Sequence, residues 1–327
     1  MLKPVARFAP TLPSPLPSLL LGLDFSCAPT ARKPLTLARG LRVGQVVRLD
    51  GLDEASSLAE FDAWLQPGHT LTGAGCVMAC DFPFGLPRPF VDALHLHGPS
   101  GLAGALGNGD GDGTEAAGPA PTDRLAEALL RTVGDRAGFQ RLVDGWGEHW
   151  DTQRAAGSKL LHRRTDHVAP GLSSTSPLQT RYVPVGKMFF EGLPRLVRAD
   201  FTLPGQRLGQ RPAHIALEAW PGLLAAQVIG RQRSYKSETD ATPERLLARM
   251  DLIDALEQGR TPWGLRLKLR PAQRDHLVQD PKGDRVDAVL CLMQAAWAHA
   301  QAEAGDTRWG LPVDLDPVEG WITGATP

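Results

Sequence analysis

Three apolar runs in this chain each end on an acidic residue: Leu19-Leu20-Leu21-Gly22-Leu23-Asp24, Cys76-Val77-Met78-Ala79-Cys80-Asp81 and Ile215-Ala216-Leu217-Glu218. Runs this short and this apolar read as strands buried on both faces of a sheet. A carboxylate carried into such surroundings costs several kcal/mol unless a cation or hydrogen bonds neutralise it. Repeated three times, the pattern points to carboxylates gathered at one edge of a sheet to hold a metal ion. Taken singly, each acid also fits the plainer role of first polar residue after a strand, capping a turn or helix.

A chain of 327 residues holds one large domain or two ordinary ones and can bury a core without disulfides or a structural metal. Cys27, Cys76, Cys80 and Cys291 stand in apolar surroundings. Cys76 and Cys80 would lie roughly 13 Å apart on one strand, so all four read as buried thiols in a reducing compartment. The segment before the first run carries Lys3 and Arg7 but is broken by five prolines, and no apolar stretch approaches the roughly 18 residues a membrane span needs. The expectation is a soluble cytoplasmic protein with no membrane partner; its oligomeric state is left open.

A net charge of −1 conceals an uneven distribution. Between Gln153 and Arg211 ten Lys or Arg face three acids, a local balance of +7, which leaves −8 for the remainder. A basic segment beside a carboxylate-bearing body suits an enzyme that must draw a phosphate to a site whose own ligands repel it. An Arg-rich, solvated surface is the plainer account.

After the first strand, Leu35 to Leu41 and Val43 to Leu49 read as two more strands, Asp53 to Gln66 as a helix stopped by Pro67-Gly68, and Gly75 to Asp81 as a fourth strand. The stretch from Gly98 to Pro121 is a glycine-rich loop. Within it, Asn108 to Gly113 imitates the start of a calcium loop, but Pro119 stands where the bidentate Glu belongs. Thr122 to about Lys159 has helical spacing, the basic segment reads as irregular, and His214 to Glu218 restarts the sheet. Helices then follow from Pro221, from Thr242 to about Gln258, and from Gly283 to about Glu303. The layout is a proline-rich arm (1–17), a core interrupted after residue 84, an insertion (85–210) and the second part of the core (211–327).

Three strands, a helix, a strand, a helical excursion, a strand and a closing acidic helix form the order of an RNase H-like fold with a mixed five-stranded sheet. Gly22-Leu23-Asp24-Phe25-Ser26, Cys80-Asp81-Phe82-Pro83-Phe84-Gly85-Leu86-Pro87, Glu218-Ala219-Trp220-Pro221, Tyr235-Lys236 and Asp284-Arg285-Val286-Asp287-Ala288 resemble, in that order, the signatures of the family called domain of unknown function 429, described as predicted nucleases of RNase H fold. The resemblance spans roughly residues 19–300. It implies catalytic acids at Asp24, Asp81 and Asp287, with Asp284 three residues before Asp287 on the same helical face. It further implies Mg²⁺ or Mn²⁺ as cofactor, in a site where one ion lowers the pKa of a water and a second stabilises the leaving oxygen. Hard oxygen ligands favour those ions over zinc.

Glu218 is a further metal-ligand candidate, or else the partner of an arginine from the insertion. Asp284, directly after Gly283, fits an N-cap as well as a ligand. Arg163, Arg164, Arg181 and Lys187, with Lys236 behind them, are the phosphate-binding candidates, because a guanidinium offers a fork to phosphate oxygens; a surface ion-pair network is the alternative. His95-Leu96-His97 is an incidental pair, and Trp146, Trp150, Trp220 and Trp297 read as core packing.

The sequence thus points to a metal-dependent nuclease or phosphodiesterase acting on nucleic acid or another phosphorylated substrate. An actin-like kinase or phosphatase shares the strand order, but no glycine-rich phosphate turn follows Asp24. A non-catalytic RNA- or partner-binding scaffold is the third reading.

Overall fold

The apolar runs become strands of one six-stranded mixed sheet in the computed structural model, which describes residues 11–73, 75–99, 102, 106, 119–146, 148–149, 151–152, 156–157, 160–167 and 172–326. In chain order the strands are β1 (Leu19–Asp24), β2 (Leu35–Val43), β3 (Val46–Ala55), β4 (Cys76–Cys80), β5 (His214–Glu218) and β6 (Arg266–Lys268). They lie side by side as β5-β4-β1-β2-β3-β6. The pairs β1/β2 and β2/β3 are antiparallel; β1/β4, β4/β5 and β3/β6 are parallel.

The sheet has one strand more than the five expected. β6 is only three residues long and adds to the free edge of β3, too short to leave a periodic signal. β2 and β3 meet in a tight hairpin at Gly44, whose φ of 57° glycine adopts without strain. β3 continues to Ala55, so Asp53 belongs to the strand, where it pairs with Arg39 at 2.5 Å, and not to the following helix. That helix, α1 (Leu58–Leu65), starts later than the spacing suggests, capped by Ser57, whose side chain accepts from the Glu60 N–H.

Between β4 and β5 the chain makes α2 (Arg88–His97), α3 (Pro121–Thr132), α4 (Arg136–Gly145) and α5 (Val185–Arg198). The single helix expected from Thr122 to Lys159 is two, because Gly134 turns the chain at φ 81° and Asp135 caps α4 through the Gly138 N–H at 2.6 Å. The basic segment is partly regular, since α5 lies within it. After β5 come α6 (Pro221–Ile229), α7 (Pro243–Glu257), α8 (Pro271–Val278) and α9 (Asp284–Glu303). Ser100 to Gly118, with its calcium-like stretch, falls largely outside the described residues, as do the first ten residues, Trp150, Arg154 and Lys159.

Two apolar cores flank the sheet. Leu20, Val77, Ala79, Ile215 and Leu217 face α6, α7 and α9; Leu21, Leu23, Met78, Cys80 and Ala216 face α1 and the helices inserted after β4. That alternation is the two-residue period of strands buried on both sides. All four cysteines are free and buried. Among the described residues, no helix is long and apolar enough to cross a membrane.

Candidate metal centre and adjoining cleft

Register decides which of the three strand-ending acids meet. β1 and β4 are parallel neighbours with Leu23 opposite Cys80, so Asp24 and Asp81 leave the sheet together, and the Asp81 N–H donates to the Leu23 carbonyl at 2.9 Å. The third acid comes from α9, which is apolar around most of its circumference and so is buried along most of its length. α9 lies directly on β1 because Gly22 has no side chain: a Cβ there would stand 2.1 Å from the Leu292 nitrogen and 2.2 Å from the Ala288 carbonyl oxygen. This close approach sets Asp287, in the first turn of α9, over the strand ends. One carboxylate oxygen from each of Asp24, Asp81 and Asp287 lies within 4.8 Å of the other two.

Asp287 is fully buried, and both of its oxygens are engaged. The Tyr235 hydroxyl donates to Oδ1 and the Lys236 ammonium to Oδ2. The Tyr235-Lys236 segment is fixed in turn by Arg249, which donates to the Tyr235 carbonyl at 2.8 Å, and by the Ser237 N–H on the Pro281 carbonyl at 2.9 Å. Gly283, at φ 80°, is the residue that lets it pass so close: a Cβ there would meet the Lys236 Cβ at 2.7 Å.

The three carboxylates repel one another. Burial, then Asp287, push the Asp81 carboxyl up to about 7 against the pull of Lys236. Burial, then Asp287 and Asp81, hold Asp24 well above the carboxylate range. Burial opposes the Lys236 ammonium, but Asp287 outweighs it and keeps the lysine charged. One ammonium against three acids leaves the site short of positive charge, a deficit that a divalent cation or protons would fill.

Glu218 does not join them. It stands in register with Cys80, one residue short of the position beside Asp81, and a one-residue offset on a strand points a side chain to the other face of the sheet. There it meets Arg163: Nη1 donates to Glu218 Oε2 at 2.8 Å and Nη2 to Oε1 at 2.6 Å, while the Phe84 N–H donates to Oε2 at 2.9 Å. Arg163 also grips Asp166, Nη2 to Oδ1 at 2.9 Å, and the Ser174 hydroxyl donates to the same oxygen at 2.7 Å. All three charged side chains are buried. Of the two roles open to Glu218 in the sequence, the pairing with an arginine of the insertion is the one formed. Asp284 is the first residue of α9, and the cap position is held by Gly283, which has no side chain to cap with; Asp284 lies outside the three-acid cluster.

The phosphate-binding candidates are dispersed. Arg164 pairs with Asp314 and lies over the Trp321 ring; Arg181 holds Asp144 through both terminal nitrogens; Lys187 is half-buried on α5. Arg163 and Lys236 alone of the five line the cleft that opens beside Asp81. This cleft has a volume of about 520 Å³. Its lining includes the cationic residues Arg231, Arg233 and Lys236 and the apolar residues Val185, Met188 and Trp220. Trp146 is buried and Trp297 packs against Trp263, as core residues should, but Trp220 is half-buried and faces the cleft. His95 and His97 sit on the last turn of α2 and belong to no three-ligand group among the described residues.

No family model, curated protein or solved structure matches the chain.

Tyr235-Lys236 stands out in the sequence as a motif, but two contacts of the site left no local trace there. The contact of Tyr235 with Asp287 spans 52 residues, and Met188 reaches the cleft from α5, inside what reads as an irregular segment. Trp220, directly after the Glu218-Ala219 strand end, carried a usable signal: strand ends on this side of the sheet carry the site.

Proposed function

We propose that the chain is a metal-dependent phosphodiesterase acting on nucleic acid, built on an RNase H-like plan. The observation that carries this reading is the convergence of Asp24, Asp81 and Asp287, from three separate elements, to within 4.8 Å at the edge of an open cleft. Two features add support: the resemblance to the domain of unknown function 429 family, and a sheet whose first five strands follow the expected run of elements.

The donor set fits Mg²⁺ or Mn²⁺: carboxylate oxygens only, with no thiolate or imidazole in the cluster. Asp24, Asp81 and Asp287 would hold the metal. Bound divalent ions supply a water of lowered pKa and charge stabilisation at the leaving oxygen. The protein's own part is positioning. The Tyr235 hydroxyl fixes Asp287 in one rotamer, and Lys236, which touches both Asp287 and the cleft, sets a positive charge where a phosphate would approach the acids. Arg231 and Arg233, the latter paired with Asp251, also line the cleft. Glu218 and Arg163 hold the insertion against the sheet and make one wall of the cleft.

The test is cleavage of labelled DNA and RNA oligonucleotides by the purified chain with Mn²⁺ or Mg²⁺. Asp24→Asn and Asp81→Asn should each abolish turnover while leaving the circular dichroism spectrum and melting cooperativity intact. Absence of cleavage by folded protein under every divalent ion tried would overturn the proposal.

A further inference from the structure

The cleft beside the three acids is more than an electrostatic funnel. A phosphate alone would need only cationic groups such as Lys236, yet the lining also includes Trp220, Met188, Val183, Val185 and Leu172. Of these residues Val183 is 57% exposed. The residue before it, Tyr182, is 97% exposed and held at φ 59°, in a left-handed conformation that a bulky side chain rarely adopts. Such strain persists where the surroundings impose it. The residue before Tyr182, Arg181, holds Asp144 through both terminal nitrogens at 2.7 and 2.6 Å. An aromatic ring is thus presented to solvent directly before Val183, a residue of the cleft lining, and the same lining includes Asp81 of the three-acid cluster.

Trp220 is likewise placed, not merely packed. Its backbone N–H donates to Gln294 Oε1 at 3.2 Å, and its indole lies against the backbone of Gly222, where a Cβ would come within 2.7 Å of Nε1. Resting on the proposed phosphodiesterase reading, we infer that the cleft receives an unpaired nucleotide, its flat base against the Trp220 and Met188 wall, its phosphate toward Lys236, and a neighbouring base on Tyr182. The preferred substrate class is therefore single-stranded nucleic acid. A paired base offers only its edges in the grooves and keeps its faces within the stack, so a duplex presents nothing that this wall can hold. A volume of about 520 Å³ suits a ligand of nucleotide size rather than a helix. Stacking combined with a cationic edge is how single strands are held without sequence preference.

The experiment uses the full chain carrying Asp24→Asn, in EDTA, so that neither turnover nor metal enters. Fluorescence anisotropy reads its binding to a short fluorescein-labelled single strand, and to the same strand annealed to its complement. The single strand should bind about tenfold or more tightly than the duplex, with affinity falling as salt rises. Adding Trp220→Ala should weaken single-strand binding roughly 5- to 100-fold, and Tyr182→Ala by a smaller factor, with duplex binding unchanged. The exposed Tyr182 side chain can be removed without disturbing the core, so this variant decides the matter if Trp220→Ala fails to fold. Equal or tighter binding of the duplex, no binding of either probe, or single-strand binding indifferent to Tyr182→Ala would overturn the inference. Mn²⁺-dependent cleavage by the wild-type chain is scored separately. Cleavage without single-strand preference removes this inference and keeps the metal site; single-strand binding without cleavage keeps the cleft and removes the metal site.

Discussion

Replacing Arg163 with methionine separates a structural Glu218 from a metal-binding one. The guanidinium makes five side-chain hydrogen bonds: two to Glu218, two to Asp166 and one to the Glu319 carbonyl. Despite burial, Glu218 and Asp166 hold it firmly protonated. Arg163→Met roughly keeps the volume but leaves two carboxylates buried with no cation, which should cost about 3–5 kcal/mol. For a chain of this size that corresponds to a melting point lowered by roughly 4–7 °C. Glu218→Gln is gentler. Arg163 keeps Asp166, the Phe84 N–H keeps an acceptor, and the loss is one charge plus a donor facing a donor, about 1.5–3 kcal/mol. The two changes share a contact, so their effects should fall short of additive in the double variant by at least about 0.5 kcal/mol. Urea unfolding at neutral pH measures all three. If Glu218→Gln unfolds within about 0.5 kcal/mol of wild type and abolishes Mn²⁺-induced stabilisation, then Glu218 is a ligand and the division of the two sheet faces argued above is wrong.

Three further outcomes follow from the same geometry. Saturating Mn²⁺, at about a hundred times its dissociation constant, should stabilise the wild-type chain by roughly 2.7 kcal/mol, and Asp24→Asn or Asp81→Asn should lose that gain in a thermal-shift assay; an equal shift in the variants would place the ion elsewhere. Gly22→Ala puts a methyl group 2.1 Å from the α9 backbone, so α9 must move off β1; unfolding should become easier by well over about 1 kcal/mol and metal-induced stabilisation should vanish even though every acid is retained, whereas a wild-type melt would show that the close packing is not needed. Burial, then Arg211, depress His214 to about 4: a neutral histidine favoured by the fold contributes stability above a pH of about 6.5 that is lost as pH falls toward 4, up to roughly 3 kcal/mol. His214→Asn should flatten the wild-type stability profile between about pH 6.5 and pH 5, and parallel profiles would refute the buried neutral state.

Much of the sheet and two of the three clustered acids could be read from local pattern, because a strand buried on both faces writes itself as an unbroken apolar run. Leu19 to Asp24, Cys76 to Asp81 and His214 to Glu218 are each found within a residue of where the runs place them. The closing helix was equally visible, from Asp284 to Glu303. What failed locally was length and continuity. β3 runs past Leu49 to Ala55 through Asp50, Asp53 and Glu54, charged residues that a half-exposed strand tolerates but that erase its apolar signal. β6 forms because its neighbour offers an unpaired edge, a property of β3 and not of Arg266 to Lys268.

The acids show the deeper limit. A run that ends on a carboxylate tells which residue is last in the strand, but not which face its side chain takes, since that depends on pairing between strands far apart in sequence. Asp24 and Asp81 fall on the α9 side because Leu23 pairs with Cys80; Glu218 falls on the other because it pairs with Cys80 as well, where Ala219 would have been needed. Three similar endings therefore sort into two chemistries by one residue of register. On the α9 face, two half-buried acids meet Asp287 with a single lysine beside them, and the proposed cation site rests on that uncompensated charge. On the opposite face the insertion supplies a buried arginine, and the same kind of carboxylate becomes the anchor that holds the basic segment to the sheet. The phosphate-binding role read into that segment is weakened for the same reason: Arg163, Arg164 and Arg181 each have an acid of their own. The cationic residues that line the cleft beside Arg163, namely Arg231, Arg233 and Lys236, follow β5 and α6 and lie outside the segment where the charge imbalance is greatest; Arg233 also pairs with Asp251, and Lys236 with Asp287 itself.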